Sequence, residues 1–504
     1  MYRVQVRLLL MSLAMLLRWG VSLWPHSGQA APPLHGDYEA QRHWQEITVN
    51  LPVGDWYTNT SDNDLQYWGL DYPPLTAYHS LALGLIARSI NSSWVELHTS
   101  RGLETEGHKL FMRLTVVAAD LVSFLPAAFL FSSPGYLTTI SLLASPSLII
   151  IDHGHFQYNN VSLGFFLAAV SSLLTGRHCL GSFLFVCALN YKQIELYHAL
   201  PFFCFLLGLC LQQRPRTAGL AKLITISFTV IATFAAIWAP WLAAGPASVL
   251  QLLHRIFPFS RGLFEDKVAN FWCALDVLLK LKQRMTIPQL AQLSLASTLV
   301  LALPSNLYLL ARPTAENFLF SLTNTSLVFF LFSFQVHEKS ILLAVTAGCL
   351  LTSCTGLDRA VTRTAVPWLA AIAMFSMQPL LLRDGLAIPA LALTVFYLVL
   401  VSNQEGLAGL VLEQGRTPRT KSPLPLPPTS PTQRRMEWCR AVSLVGCLVL
   451  HTASIAIPPP AHLPFLWPLL VCVYSAAHLV LATVYLHLVQ FTRPADLHID
   501  KKQQ

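Results

Sequence analysis

Charge is what this chain has least of. Asp, Glu, Lys and Arg together make up 12% of its 504 residues, about half of the roughly 25% in an ordinary soluble domain. With 54% hydrophobic residues and a mean hydropathy of +0.51, most of the chain is suited to lipid rather than water. A soluble nucleic-acid binder is excluded, although Lys and Arg outnumber Asp and Glu by 33 to 25. In a multi-span protein such an excess belongs to cytosolic loops.

Cysteine pairing motifs are missing too. The ten cysteines, between positions 179 and 472, sit almost entirely in apolar runs, with no CxxC and no Cys/His cluster. Neither a zinc nor an iron–sulfur site is indicated. The longest polar segment, roughly residues 25–108, has no cysteine at all. It must fold without disulfides if it lies in an oxidising compartment, so a secreted disulfide scaffold is excluded as well.

What is present is a series of apolar runs. The first extends from Leu8 to Trp24 and the others lie near 110–131, 135–151, 160–176, 179–191, 197–212, 220–242, 287–311, 317–335, 338–356, 365–382, 385–402, 438–457 and 464–490. They predict an all-α polytopic membrane protein of about 14 transmembrane helices, several shorter than the roughly 20 residues of a perpendicular span. The stretch 268–281, broken by Asp276, reads as interfacial or re-entrant. The first run follows Arg3 and Arg7 and precedes small residues at Ala30–Ala31, so it reads either as a cleaved signal peptide or as a signal anchor.

Loop charge orients the spans. Counted from a cytosolic N-terminus, the cytosolic breaks carry Arg177; Arg214, Arg216 and Lys222; Arg312; Arg359 and Arg363; and Arg416, Arg419, Lys421, Arg434 and Arg435. Every one is basic, as the positive-inside rule demands. The same parity sends 25–108, 152–159, 190–198, 243–286, 335–339, 383–386 and 457–463 to the lumenal side. Residues 1–402 then form the main membrane region, with 25–108 and 243–286 as its large lumenal loops. Residues 403–437, rich in Pro, Ser and Thr, read as a disordered cytosolic linker. A C-terminal pair of spans follows at 438–490, and the tail 491–504 ends in Lys501-Lys502-Gln503-Gln504. That ending looks like a dilysine retrieval signal for the endoplasmic reticulum, or else is an ordinary solvated tail. Four sequons begin at Asn59, Asn91, Asn160 and Asn324. Only the first two have clearance from the bilayer, so glycan is expected at Asn59 and Asn91 and not at Asn324.

The lumenal segments place ionisable groups among aromatics beside span ends, an expensive arrangement that marks function in membrane proteins. The first, Gly36-Asp37-Tyr38-Glu39-Ala40-Gln41-Arg42-His43-Trp44, offers Asp37 and Glu39 as bases. Asp37 is equally suited to capping a helix that runs through Trp44. In the second, Leu65 to His79, Asp71 stands at a turn ahead of the Pro73-Pro74 stop, with a structural role the better reading. The third, Asp152-His153-Gly154-His155, would project both histidines to one side of an extended segment, for phosphate, sugar hydroxyls or a metal. Lys192, Arg261 and the pair His337 and Lys339 add cations suited to a lipid phosphate. For Lys339 a surface pairing with Glu338 remains open. Asp120, inside a span, has no assigned partner beyond Arg113 or a neighbouring helix. Acids, dispersed cations and aromatics suit transfer of a sugar from a polyprenyl phosphate. A carboxylate takes the acceptor proton, and positive charge receives the departing phosphate.

The motifs Gly36 to Trp44, Leu65 to His79, Asp152 to Asn159, Arg261 to Trp272 and Phe334 to Leu342 resemble, in order, those of the dolichyl pyrophosphate Man9GlcNAc2 alpha-1,3-glucosyltransferase family of the endoplasmic reticulum. The resemblance implies a GT-C fold, short helices on the lumenal loops, a lumenal active site and cytosolic termini. It implies dolichyl phosphate glucose as donor and Man9GlcNAc2-PP-dolichol as acceptor, with inversion at the transferred sugar. By the same resemblance Asp37 is the general base and His337 a donor-phosphate contact; Lys339, Lys192 and Arg261 are further candidates for that phosphate. Glu39, Asp71, His153 and His155 are further substrate-binding candidates, and no cofactor or metal is needed. The sister enzyme adding the second glucose differs in its first lumenal motifs. A lipid transporter or flippase would suit fourteen spans but calls for internal repeats, and none is evident.

Overall fold

The structure is a computed structural model describing residues 2–131, 136–257, 267–354, 357–358, 360–403 and 431–492. Regular secondary structure among them is helical throughout. Each predicted apolar run is helical over most of its described residues, several of them in two or three successive helices. Among the described residues nine helices are long and apolar enough to cross a bilayer, from Val4–Ser22 to Leu466–Thr492, and Asn159–Leu174, His178–Tyr191, Ala360–Ser376 and Ala387–Ser402 are shorter apolar helices. The run at 338–356 is the helix Ile341–Leu350, between the 3-10 turns Glu338–Ser340 and Leu351–Ser353.

A helix apolar all round must be buried among others or face lipid. Ala315–Phe332 is the buried case. It packs against Leu196–Gln212, Ile287–Ala311, Ile341–Leu350 and Leu466–Thr492, and Phe318, Leu322, Leu327 and Phe330 are fully enclosed in the main core. Arg216–Ile237 is the other case, with only Gly219, Ile226 and Thr233 buried. The first helix, Tyr2–Ser22, is tied into the bundle by Arg18, whose Nε donates to Asp120 Oδ2 at 2.5 Å. Asp120 therefore pairs with this neighbouring helix and not with Arg113.

The segment 25–108 folds into a cap of packed helices, chiefly Gly36–Asn50 and Pro74–Ile90. The first of these is clamped on two sides. Tyr38 joins Phe111, Met112, Phe156 and Tyr191, while Ala40, Trp44 and Ile47 join Trp56, Tyr57 and Trp241. The Pro73-Pro74 pair, expected to stop structure, starts it instead: Pro74 is the first residue of the second helix, where its missing N–H costs nothing. The segment 243–286 contributes the helices Pro246–Ile256, Phe271–Leu279 and Leu281–Arg284.

Two expected boundaries move. The linker expected over 403–437 ends earlier, because Pro431–Ala456 is one helix, again opened by a proline. Likewise Leu466–Thr492 continues two residues into the expected tail. Residues 404–430 and the terminal dilysine lie outside the described residues. Asn59 and Asn91 are exposed. Asn160 and Asn324 are buried, and their amides bond Asp120 Oδ2 at 3.1 Å and Gln490 Oε1 at 2.9 Å.

Candidate active site

Asp37 owes its position to a glycine turn. Gly36 has φ 63°, and a Cβ there would lie 2.6 Å from Ser27 Oγ, so only glycine lets the chain enter the helix Gly36–Asn50 against Ser27. Ser27 Oγ then accepts from the Asp37 backbone N–H at 3.2 Å, and Ser27 N–H donates to His155 O at 2.9 Å. The helix has no side-chain cap and His35 precedes it in a left-handed conformation. Asp37 therefore does not cap; it lies within the first turn with its carboxylate directed elsewhere.

That carboxylate faces two other segments. Asp37 Oδ2 lies 3.0 Å from His155 Nε2, accepts from Gln157 Nε2 at 2.5 Å and accepts from Lys339 Nζ. Among the described residues no hydrogen bond reaches Oδ1, and the side chain keeps 21% of its surface exposed. Burial by itself would raise the Asp37 pKa, but the Lys339 ammonium and His155 outweigh it and hold the carboxyl well below its usual range. The group is ionised at neutral pH.

The histidines arrive on a π-helical segment, Ile150–Phe156. Such segments are rare and recur at functional sites. Phe156 is held at φ 87°, a costly conformation for a bulky residue. It is kept there by packing on Tyr38 and Tyr158 and by Arg113, which donates to His153 O at 2.5 Å and Trp24 O at 3.0 Å. In a helical segment residues two apart point to nearly opposite sides, so the expectation of an extended strand presenting both histidines together is wrong. His153 Nε2 lies 3.0 Å from Asp120 Oδ2, whereas His155 turns to Asp37 and, through Nδ1, to Asp384 Oδ2 at 2.5 Å.

Lys339 is buried, in the 3-10 turn Glu338–Ser340, and its Nζ also lies 3.2 Å from His155 Nε2. The alternative pairing with Glu338 is not what the structure displays, since Lys339 turns to Asp37. His337 accepts from Lys339 N–H at 3.3 Å through Nδ1 and is the open member, with 49% of its side chain exposed. Lys192 follows the helix His178–Tyr191, bonds Asn159 Oδ1 and lies 4.8 Å from the centre of the Tyr72 ring. Burial and the repulsion of Lys339 lower its pKa to about 8.

The remaining candidates are placed apart from this cluster or beside it. Glu39 is buried and taken up by Arg42, at 2.6 and 2.8 Å, and by Tyr67 OH at 2.8 Å. Asp71 is held at its turn, its carbonyl accepting from Gln193 Nε2 at 3.1 Å, and its charge acts on Lys192. Arg261 lies outside the described residues. Sequence reasoning passed over two members of the site, Gln157 and Asp384. The signal available for Asp384 was an acid beside Gly385 at the end of an apolar run.

Segments 25–108, 152–159, 335–339 and 383–386, assigned to one side of the membrane only by counting apolar runs, are thus joined by direct contacts between Asp37, His155, Lys339 and Asp384. A carboxylate with one free oxygen, next to two buried ammonium groups and an open imidazole, can deprotonate a hydroxyl while cations receive an anionic leaving group.

Comparison with known proteins gives the family. A family model described as the ALG6, ALG8 glycosyltransferase family matches residues 6–486. A Drosophila melanogaster protein named probable dolichyl pyrophosphate Man9GlcNAc2 alpha-1,3-glucosyltransferase is 46% identical, over 95% of this chain and 97% of its own. The Mus musculus dolichyl pyrophosphate Man9GlcNAc2 alpha-1,3-glucosyltransferase is 44% identical over 95% of each chain. The Saccharomyces cerevisiae protein of the same name is 39% identical over 91% of this chain and 86% of its own.

Proposed function

The chain belongs to the ALG6, ALG8 glycosyltransferase family, and from that premise we propose that it is the alpha-1,3-glucosyltransferase acting on Man9GlcNAc2-PP-dolichol, with dolichyl phosphate glucose as donor. It is a multi-pass membrane enzyme of GT-C type. It resides in the endoplasmic reticulum membrane, with the Asp37 cluster on the lumenal side and both termini in the cytosol. Relatives named for Man9GlcNAc2 favour the first glucose over the second.

The observation carrying the mechanism is the free Oδ1 of an ionised Asp37 whose Oδ2 is held from three directions. The acceptor mannose hydroxyl gives its proton to Oδ1 as its oxygen attacks the anomeric carbon. The bond to the donor phosphate oxygen breaks, its electron pair leaving with the dolichyl phosphate. A phosphate monoester with a second pKa of about 6 departs as an anion near neutral pH, so it needs positive charge more than a proton. Lys339, Lys192 and the exposed face of His337 supply the charge and hydrogen bonds, and Lys339 is shared between the donor phosphate and Asp37. A single displacement inverts a beta-linked donor to an alpha product and calls for no divalent metal.

The test is glucose transfer from dolichyl phosphate glucose to a lipid-linked Man9 acceptor. Wild-type protein should transfer, with chelator present or absent, and Asp37→Asn should fail while folding normally. Transfer by Asp37→Asn at near wild-type rate removes Asp37 as base. Inhibition by chelator reversed by added cation would restore a metal.

A further inference from the structure

Asp384 breaks two local rules at once. It directly follows the helix Gln378–Arg383, where the negative end of the helix dipole disfavours another negative charge. Its side chain is also only 3% exposed, and a buried carboxylate is expensive without a partner. Residues that violate local preference without an evident structural gain are expected at functional sites. Its partner is His155 Nδ1, at 2.5 Å.

The backbone on both sides is built for this meeting. After Asp384 the chain reverses at Gly385, with φ 72°, and Leu386 N–H bonds back to Leu381 O at 2.7 Å. The reversal seats Leu386, fully buried, on the glycine between the two histidines. A Cβ on Gly154 would lie 3.1 Å from Leu386 Cδ1 and 3.1 Å from Val21 Cγ1. Gly154 therefore permits the corner after Gln378–Arg383 to close onto the π-helical segment, bringing Asp384 to the imidazole.

We propose that Asp384 is a positioning residue for glucosyl transfer, acting through His155 on Asp37, an inference that rests on Asp37 being the base. Asp384 accepts the His155 Nδ1 proton and so fixes the ring plane, and an imidazole set between two carboxylates is held as the imidazolium, its Nε2–H left to donate to Asp37. With the ring fixed, Nε2 stays against Asp37 Oδ2, and Oδ1 is left aimed at the acceptor. The donor phosphate meets Lys339 and His337 instead, so Asp384 bears on the rate of the chemical step rather than on donor or acceptor affinity.

The experiment is a double-mutant cycle on the full-length enzyme with dolichyl phosphate glucose and a lipid-linked Man9 acceptor, with rates normalised to folded protein. Asp384→Asn keeps shape and removes charge. It should lower kcat about tenfold or more, with both KM values within about twofold. The same substitution in a His155→Ala or His155→Gln background should cost nothing further, because the route it acts through is already cut. If Asp384→Asn turns over like wild type while Asp37→Asn is inactive, the proposal is overturned and the base stands. A loss from Asp384→Asn that is undiminished in both His155 backgrounds also overturns it. Activity in Asp37→Asn would remove the base, and the proposal with it.

Discussion

His153 and His155 leave the same π-helical segment two residues apart, and each meets an aspartate. The surroundings of the two aspartates differ. Asp120, 1% exposed, is filled by Arg18, His153 and the Asn160 amide on one oxygen, Oδ2, deep among the helices. Asp37, 21% exposed, also receives its contacts on Oδ2, but keeps access to solvent, and among the described residues no hydrogen bond reaches its Oδ1. Its cation is a lysine, whose ammonium can leave for another anion, whereas Arg18 is locked by Asp120 and by the Leu143 carbonyl at 3.0 Å. A buried pair with no access to solvent works as a brace; a pair with a free oxygen and a movable cation can do chemistry.

The sharpest way to break this comparison is to make the same change on both sides. Asp37→Asn should lower glucosyl transfer by about 10²–10⁴-fold, the contribution of a positioned general base, with unchanged thermal denaturation in detergent. Asp120→Asn should leave the rate per folded molecule near wild type but cost about 3–5 kcal/mol of stability, because it strands Arg18 as an unpaired buried charge. If the two phenotypes are exchanged, the division between brace and catalytic site fails.

A smaller effect sharpens the role of the lysine. Burial raises the Asp37 pKa and Lys339 is the strongest influence against it, so in Lys339→Ala the pKa should rise. The base is active only when ionised, so the acid limb of the kcat profile should move to higher pH, together with weaker use of the donor. An acid limb that stays in place would separate Lys339 from Asp37.

The smallest expected effect concerns Lys192. With a pKa near 8, its ammonium is present below that pH and lost above it. The donor KM should therefore rise as pH passes about 8. Lys192→Arg, charged at every accessible pH, should flatten that rise, as read from donor titrations at several pH values.

The difference between the two clusters also marks what the sequence disclosed. Hydropathy gave the helices, since a run of apolar residues determines burial or lipid exposure without reference to a partner. Parity of the spans gathered Asp37, His155 and Lys339 on one face, and ionisable groups beside span ends singled them out. Which partner each takes was hidden. Asp384 lies 229 residues from His155, and Arg18 lies 102 from Asp120. The histidines looked equivalent because the segment was expected to be extended, and only its π-helical form sends them to opposite sides. By residue type alone Glu39 is a candidate base like Asp37, but one helical turn links it to Arg42, and that local ion pair prevails.

The most direct measurement is a structure of the enzyme with a non-transferable donor analogue and the Man9 acceptor. The account predicts the accepting mannose hydroxyl about 2.6–3.2 Å from Asp37 Oδ1, with Lys339 or His337 on the donor phosphate. A hydroxyl bound at another carboxylate, with Asp37 still closed on Lys339, would contradict it.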